Sequence, residues 1–461
     1  MKVALVGLLL VGQRFDPFGG IPAMPTALPP LSAWSRRARA RVQVIDSFGE
    51  GLSTSYRPAP GLTARGLTPE AIADRIDGDV DLVGVSVHSV ASDTVALEVI
   101  AALRRKGLPV AVGGAHPSVL PERFLDAGVD WVVRGEGELG LGALLGGAAR
   151  RGVIDRGLVG DLDELPSPDF GAIPLEAYWR LGLGHGPVRE RYLNISTSRG
   201  CTQGCRFCAT PGLSRGRWRA MSPERTVELL TELNRRHDVA DFHIEDDDFA
   251  ADRARVQRIC ELILSRGLRV SLSLPSGVRA QSLDVETVRL MAAAGFRYMS
   301  LAPESGAGRV VRAMGKQVDL DHLEDVATAA VRSGMRVGCF LIVGYPGEGP
   351  AHRAATGALV DRLVELGVDD LSVFIWSPLP GAAAFDLERG FDRLEALCWT
   401  PRWRARYGLY EGARFGLYLR AISAMVRTRP AAVARSAARV VTGQFETKGE
   451  MTLSRVLRWL H

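Results

Sequence analysis

Three of the six cysteines, Cys201, Cys205 and Cys208, fall within eight residues of one another in the run Ser198-Arg199-Gly200-Cys201-Thr202-Gln203-Gly204-Cys205-Arg206-Phe207-Cys208. The C-x3-C-x2-C spacing places three soft thiolate donors on one short loop, enough for three corners of a 4Fe-4S cluster. With no fourth cysteine nearby, one iron is left open to bind a further ligand. Two other readings of the spacing are weaker. A tetrahedral zinc site wants a fourth Cys or His close by. A buried helical stripe of small cysteines is disfavoured by Gly200 and Gly204, by the polar neighbours Arg199, Gln203 and Arg206, and by Pro211 just beyond.

The loop resembles the signature of radical S-adenosylmethionine (SAM) enzymes, including the aromatic Phe207 before the last cysteine. Further motifs of that family follow in order. The acidic motif after its second barrel strand is similar to His243-Ile244-Glu245-Asp246-Asp247-Asp248-Phe249. Its glutamate-serine-glycine motif is similar to Leu301-Ala302-Pro303-Glu304-Ser305-Gly306, and its fifth-strand glycine motif to Ile342-Val343-Gly344-Tyr345-Pro346-Gly347-Glu348. The resemblance implies that Cys201, Cys205 and Cys208 hold the cluster and that the open iron chelates SAM. It places Phe207 and the Gly344 to Gly347 turn along the adenine, Glu304 and Ser305 at the ribose or methionine ammonium, and Asp247, with Asp246 and Asp248, at SAM or substrate. Lys316, one of four lysines, is read either as a contact to a carboxylate or phosphate or as a surface residue. Cys260, Cys339 and Cys398 read as packing residues.

Those motifs need strand ends to present them, and periodicity supplies the strands. Apolar runs at 193–197, 240–245, 269–273, 296–301, 336–343 and 370–375 alternate with helical patterns near 222–236, 252–266, 284–294, 320–333 and 350–366. Six strand-helix units predict a partial (β/α)6 TIM-like barrel with its chemistry at the strand C-termini. An earlier series, with strands at 3–11, 42–45, 81–87, 109–113 and 130–133, predicts an α/β, doubly wound parallel sheet of Rossmann-like type. Its ligand-facing loops are 12–20, Val87 to Asp93, Gly113 to Ser118 and Arg134 to Glu138.

This N-terminal half resembles the cobalamin-binding domain that precedes the radical domain in one large subfamily. The likeness rests on Gly113-Gly114-Ala115-His116-Pro117 and Arg134-Gly135-Glu136-Gly137-Glu138, and it implies cobalamin contacts at Ser89, Gly113, Gly114, His116, Gly135, Glu136 and Gly137. The Asp-x-His-x-x-Gly pattern that supplies a histidine beneath cobalt is absent. His88 and His116 are the only histidines in this half, and each reads more readily as a loop histidine than as a cobalt ligand. The first strand is not followed by G-x-G-x-x-G, which argues against a dinucleotide site.

The expected organisation is residues 1–150 for the cobalamin domain, 151–190 as a proline-marked linker, 191–380 for the radical domain and 381–461 as a helical C-terminal region. A composition of 46% hydrophobic and 24% charged residues is that of a large globular enzyme. No apolar run reaches the ~20 residues of a membrane span, so no stable membrane insertion is expected. The cysteine usage and an oxygen-sensitive cluster fit a cytoplasmic location. Residues 391–461 hold 13 Arg and Lys against 5 Asp and Glu, an excess read as a solvated face rather than a nucleic-acid surface. The resemblance implies methylation of an unactivated carbon of a small-molecule or natural-product substrate, with electrons from a donor such as flavodoxin or ferredoxin. Cyclisation, ring contraction and oxidation use the same cofactors and stay open. So does a cobalamin or nucleotide sensor with a redox cluster.

Overall fold

The computed structural model describes residues 1–461 apart from 14, 15, 17, 148, 149, 460 and 461, and apart from the side chains of 458 and 459. Part of the 12–20 loop read as ligand-facing therefore lies outside the described residues. The chain divides into two compact units, one of Met1–Leu181 with Gly212–Arg215 and Phe391–Cys398, the other of Gly182–Pro211, Gly216–Gly390 and Trp399–His461.

In the first unit the short, β-branched runs become strands because both of their faces are covered. β1 (Lys2–Gly7), β2 (Arg41–Asp46), β3 (Leu82–Ser86), β4 (Val110–Gly113), β5 (Trp131–Arg134) and β6 (Gly152–Asp155) form one parallel sheet in the order β2-β1-β3-β4-β5-β6. The order reverses at β1 and β3, as in a doubly wound sheet. Two details depart from expectation. The apolar run 3–11 breaks after Gly7, and Leu10–Gln13 leaves the sheet to pair antiparallel with Leu62–Arg65. A sixth strand, Gly152–Asp155, joins the edge from within the stretch read as linker. Its alternation is too short to stand out in sequence.

The helix α1 (Asp93–Arg105) shows how the layers lock. Val95, Ala96, Val99, Ile100 and Leu103 recur at helical spacing and are buried in the core with Val83, Val85, Val110, Val112 and Phe124. Each large aliphatic side chain so buried contributes roughly 1.5–3 kcal/mol.

The second unit carries β7 (Tyr192–Ile195), β8 (Asp241–Ile244), β9 (Ser271–Val278), β10 (Phe296–Glu304), β11 (Arg336–Val343) and β12 (Asp370–Ile375), all parallel and in sequence order. The sheet is linear in its pairing, with β7 and β12 at its edges. Helices cover the outer face, where Val337, Cys339 and Leu341 are buried. Cys260, in α2 (Arg253–Ser265), is buried too, as expected of a packing residue.

The inner face is polar. Tyr298 Oη contacts Ser300 Oγ at 3.1 Å and Asp370 Oδ1 at 3.4 Å, and a side chain at Gly338 would lie 2.5 Å from both Tyr298 Oη and Asp370 Oδ1. Burial pushes Asp370 up to about 6 and Asp241 up to about 7. An acid held neutral by burial opposes folding once it ionises. The cost is absent at low pH and grows as pH rises from the usual carboxylate range through the folded value. Asp241→Asn is therefore expected to raise the melting temperature at about pH 8 and to change it little at about pH 4, read from thermal unfolding curves at the two pH values.

Candidate functional site

The cysteine loop follows directly from β7 and is pinned on both sides. Gly200, at φ 85°, donates its N–H to Asp247 Oδ2 at 2.8 Å. Arg206 N–H bonds Met314 O at 2.8 Å, and Arg206 O accepts from Ala384 N–H at 2.7 Å. A β-carbon at Gly315, whose φ is 74°, would lie 2.6 Å from Gly204 O, so the turn under the loop must be glycine. Phe207 packs on the cluster of Met314, Ile342, Tyr345 and Trp376.

Cys201, Cys205 and Cys208 form no disulfide and are half-buried on this fixed backbone. Burial pushes the Cys201 thiol up to about 11 and raises Cys205 as well, and Cys205 and Cys208 both act on Cys201. Among the described residues no three His, Cys, Asp or Glu side chains converge tightly enough to hold a single metal ion. A four-iron cube asks for something else, since each thiolate meets its own iron. Three soft donors on a braced loop, with Cys260 and Cys339 buried elsewhere, fit three corners of such a cube.

The acidic run divides into distinct tasks. Asp246 accepts from Thr197 N–H at 2.6 Å, Thr197 Oγ1 at 2.7 Å and Ser198 Oγ at 2.7 Å. Burial raises its pKa, with the Arg255 guanidinium and these hydrogen bonds opposing. Arg255 is buried and bonds Met221 O at 2.8 Å and Thr197 O at 3.1 Å. Asp247, expected at SAM or substrate, takes the Gly200 amide and Thr210 Oγ1 at 3.1 Å, so it braces the cysteine loop. Asp248 lies nearest the thiols, with Oδ2 3.8 Å from Cys201 Sγ and 3.8 Å from Arg279.

Glu304 ends β10 with φ 64°, a left-handed conformation that costs a non-glycine residue about 1–3 kcal/mol and is tolerated where surroundings enforce it. Lys316 enforces it here, bonding Glu304 Oε1 at 2.7 Å and Ala302 O at 2.6 Å. Lys316 is thus a barrel residue and not a surface one. Ser305 Oγ bonds Thr356 Oγ1 at 2.9 Å and accepts from Ala307 N–H. Gly344, at φ 77°, lies under Tyr410 and Arg404, whose guanidinium bonds Gly344 O and Trp376 O at 2.8 Å each and pairs with Glu388. Gly347, at φ 88°, has open space beside it. Composition hid Arg255, Arg279 and Arg404, because arginine is used throughout this chain.

In the first unit glycines crowd the C-terminal edge of the sheet. Gly114, at φ 116°, lies so close to β3 that a β-carbon would sit 2.4 Å from Val87 O. Gly114→Ala is expected to cost about 1–3 kcal/mol in backbone strain alone, with a lowered melting temperature as the readout. Ser118 Oγ donates to Gly114 O and accepts from Gly135 N–H at 3.0 Å, tying the Gly113-Gly114 and Gly135-Glu136-Gly137 turns together. Glu136 Oε2 accepts from Val159 N–H at 2.7 Å. Ser89 Oγ caps the turn before α1 by accepting from Ala91 N–H. His116 is placed apart from these groups. Its ring is fully buried, edge-on to Phe124 and bonded through Nε2 to Asp93 Oδ1 at 2.7 Å. Burial opposes ionisation of Asp93, but His116 and Arg123 outweigh it and hold the carboxyl below its usual range.

Comparison with known proteins agrees with this layout. Residues 195–373 match the radical SAM superfamily and residues 48–145 match the B12-binding domain. An uncharacterised methyltransferase of Pyrococcus horikoshii is 26% identical over 342 residues, covering 70% of this chain and 72% of that one. The cytidylyl-2-hydroxyethylphosphonate methyltransferase of Streptomyces wedmorensis is 26% identical over 410 residues, covering 78% and 76%. The solved structure of the radical SAM methyltransferase TsrM from Kitasatospora setae, with cobalamin and cluster bound, shares the fold at a TM-score of 0.63 and 18% identity, covering 84% of this chain and 77% of that one. The chain belongs to the cobalamin-binding radical SAM enzymes. Its two matched domains imply a 4Fe-4S cluster, SAM and cobalamin as cofactors. Among the described residues no helix is long and apolar enough to cross a membrane.

Proposed function

We propose that the protein methylates an unactivated carbon of a small molecule. When bound, the reduced cluster with SAM supplies the 5'-deoxyadenosyl radical and methylcobalamin supplies the methyl group. The observation that carries the reading is the braced loop of Cys201, Cys205 and Cys208 above a polar barrel interior, in a chain that also has a glycine-edged sheet for cobalamin.

The chain's own residues hold and orient. Asp246, Asp247 and Arg255 fix the loop, so that the thiolates keep their spacing. Glu304, turned by its backbone and backed by Lys316, offers a carboxylate to the ribose or ammonium of SAM. Gly347 leaves room for the adenine, Gly344 turns the backbone beneath Tyr410 and Arg404, and Phe207 packs on Tyr345 of the same turn. Ser89, Gly113, Gly114, Gly135, Glu136 and Gly137 are the proposed cobalamin contacts. A one-electron donor of the flavodoxin or ferredoxin kind completes the system.

Anaerobic reconstitution followed by incubation with methyl-labelled SAM and a panel of metabolites tests the reading. Expected products are 5'-deoxyadenosine and a carbon-methylated metabolite. Formation of 5'-deoxyadenosine with an unmethylated, cyclised or oxidised product overturns the methylation step alone. No SAM cleavage by a cluster-loaded protein favours the sensor.

A further inference from the structure

The chain has four lysines among 57 Lys and Arg, so arginine is its default cation. Two of the four, Lys316 and Lys448, point into the barrel. Lys448 opens the helix α3 (Lys448–Trp459) and reaches inward to β9 and β11, which do not neighbour one another. Its Nζ bonds Pro275 O of β9 at 2.6 Å and lies 4.8 Å from the ring centroid of Phe340 on β11, while Gly449 N–H bonds Asp370 Oδ2 of β12 at 3.2 Å. β9 and β11 are separated by β10, so one side chain touches both across the inner face of the sheet. Arginine's fork could not make this single contact as compactly, whereas an ammonium on a flexible stem can.

Beyond Lys448 runs a chain of titratable groups. Its Nζ lies 3.4 Å from His185 Nε2, and His185 Nδ1 lies 2.6 Å from Glu245 Oε2, which also accepts from Ser276 Oγ at 2.9 Å. A carboxylate orienting an imidazole, which in turn faces a third group, is the arrangement by which side chains are activated for proton transfer. The other Glu245 oxygen, Oε1, is buried and has no hydrogen-bond partner. Such an atom asks for a donor. His185, Glu245, Ser276, Phe340 and Lys448 come from five different segments, yet each keeps partial exposure among fully buried neighbours. Gly277, Ala302, Ser372 and Phe374 do the same. Together they form a partly accessible patch on the inner side of the sheet.

We propose that Lys448, held by His185 and Glu245, is the proton acceptor on this inner patch, and that the substrate brings an O–H or N–H donor to it. The inference rests on the reading of this barrel as a substrate-converting site. In the step itself the substrate's X–H bond breaks, its electron pair stays on X, and the lone pair of the neutral Lys448 amine forms the new N–H bond. Glu245 Oε1 accepts a second donor from the same substrate group or its neighbour, and Phe340 and Phe374 pack its apolar part. Burial lowers Lys448 to about 8, with Asp370 and Glu245 opposing, so the neutral amine is within reach near neutral pH. His243 behind it stays neutral, since burial drops its pKa to about 4. Glu245 is held down to about 2, where the charge and hydrogen bond of His185 overcome its burial.

The four lysines make the test direct. The full chain, cluster-reconstituted but without a low-potential electron donor for the cluster, is labelled with formaldehyde and cyanoborohydride across a pH series, and each lysine is followed by peptide mass spectrometry. Lys448 is expected to label with a midpoint near 8, as its pKa indicates. Glu245→Gln removes a charge that favours the ammonium, so the midpoint is expected to fall. Benzyl alcohol and protonated N,N-dimethylbenzylamine, each with one donor, are expected to slow labelling of Lys448, and benzoate, with acceptors only, is not. A Lys448 closed to the reagent in the folded wild type overturns the proposal, as does an ordinary lysine profile unmoved by Glu245→Gln, or protection by benzoate alone. These readings need no turnover. Failure of SAM cleavage would sink the proposed function separately.

Discussion

Cys205→Ala, reconstituted anaerobically with iron and sulfide, is expected to hold no stable four-iron cluster and to form 5'-deoxyadenosine only at background. Two thiolates leave two irons of the cube to water, and the open coordination site loses the fixed corner opposite it. Cys205 is the instructive position because Lys316, Glu304 and Arg279 all act on its thiol. Its loss therefore empties the point on which the charged groups of the barrel mouth converge. Cys260→Ala is the control. That thiol is buried in α2, far in role from the loop, and shortening it removes one packing atom at a cost of about 1 kcal/mol. Iron content, the charge-transfer absorption of the cluster and SAM cleavage separate the two variants. Retention of iron and cleavage in Cys205→Ala would refute the assignment of this loop.

Arg255→Met is expected to destabilise the second unit by about 3–5 kcal/mol, the usual effect of leaving a buried charge without its partner. Arg255 reaches Asp246 by donating to the Thr197 hydroxyl, and it also donates to Met221 O and Thr226 Oγ1. Without the guanidinium, burial raises the Asp246 pKa further, so the carboxyl keeps its proton to higher pH. The loss of stability is then smallest in acid, where Asp246 is already neutral, and grows as pH rises. Adding Asp246→Asn is expected to restore part of the loss, because the pair act as one unit. Thermal unfolding of the two single variants and the double one measures this. Strict additivity would show that Arg255 is only a packing residue.

Much of this architecture was legible from short-range pattern. The six inner strands of the second unit and the helices between them lie where periodicity put them, because each run is bounded by turns and buried on at least one face. Edges were harder to see. Gly152–Asp155 is a four-residue strand with two exposed side chains, so little marks it apart from a linker. The run 3–11 looked like one strand because its apolar residues continue, yet Leu10–Gln13 buries them against a separate hairpin. At the site, the cysteines announced themselves by spacing, whereas the roles of the carboxylates depended on what each one faces. Asp247 and Asp246 are adjacent in sequence and brace different parts of one loop. His116 stands in a ligand-like motif but turns inward to Asp93. The His185, Glu245 and Lys448 chain had no sequence signal at all. Its members are 60 and 263 residues apart, and only the closing of the barrel interior brings them together.

The inner sheet ends at two strands that do not pair with each other, and two of the residues that line its interior, Phe374 and Lys448, come from beyond residue 373, outside the part that matches the superfamily. Part of what a substrate would meet is thus encoded apart from the segment that carries the cysteines. The same stretch also ties down the frame, since Arg404 bonds Gly344 O and Trp376 O and Lys448 bonds Pro275 O, so a tail refitted to a molecule of different girth must carry these anchors with it.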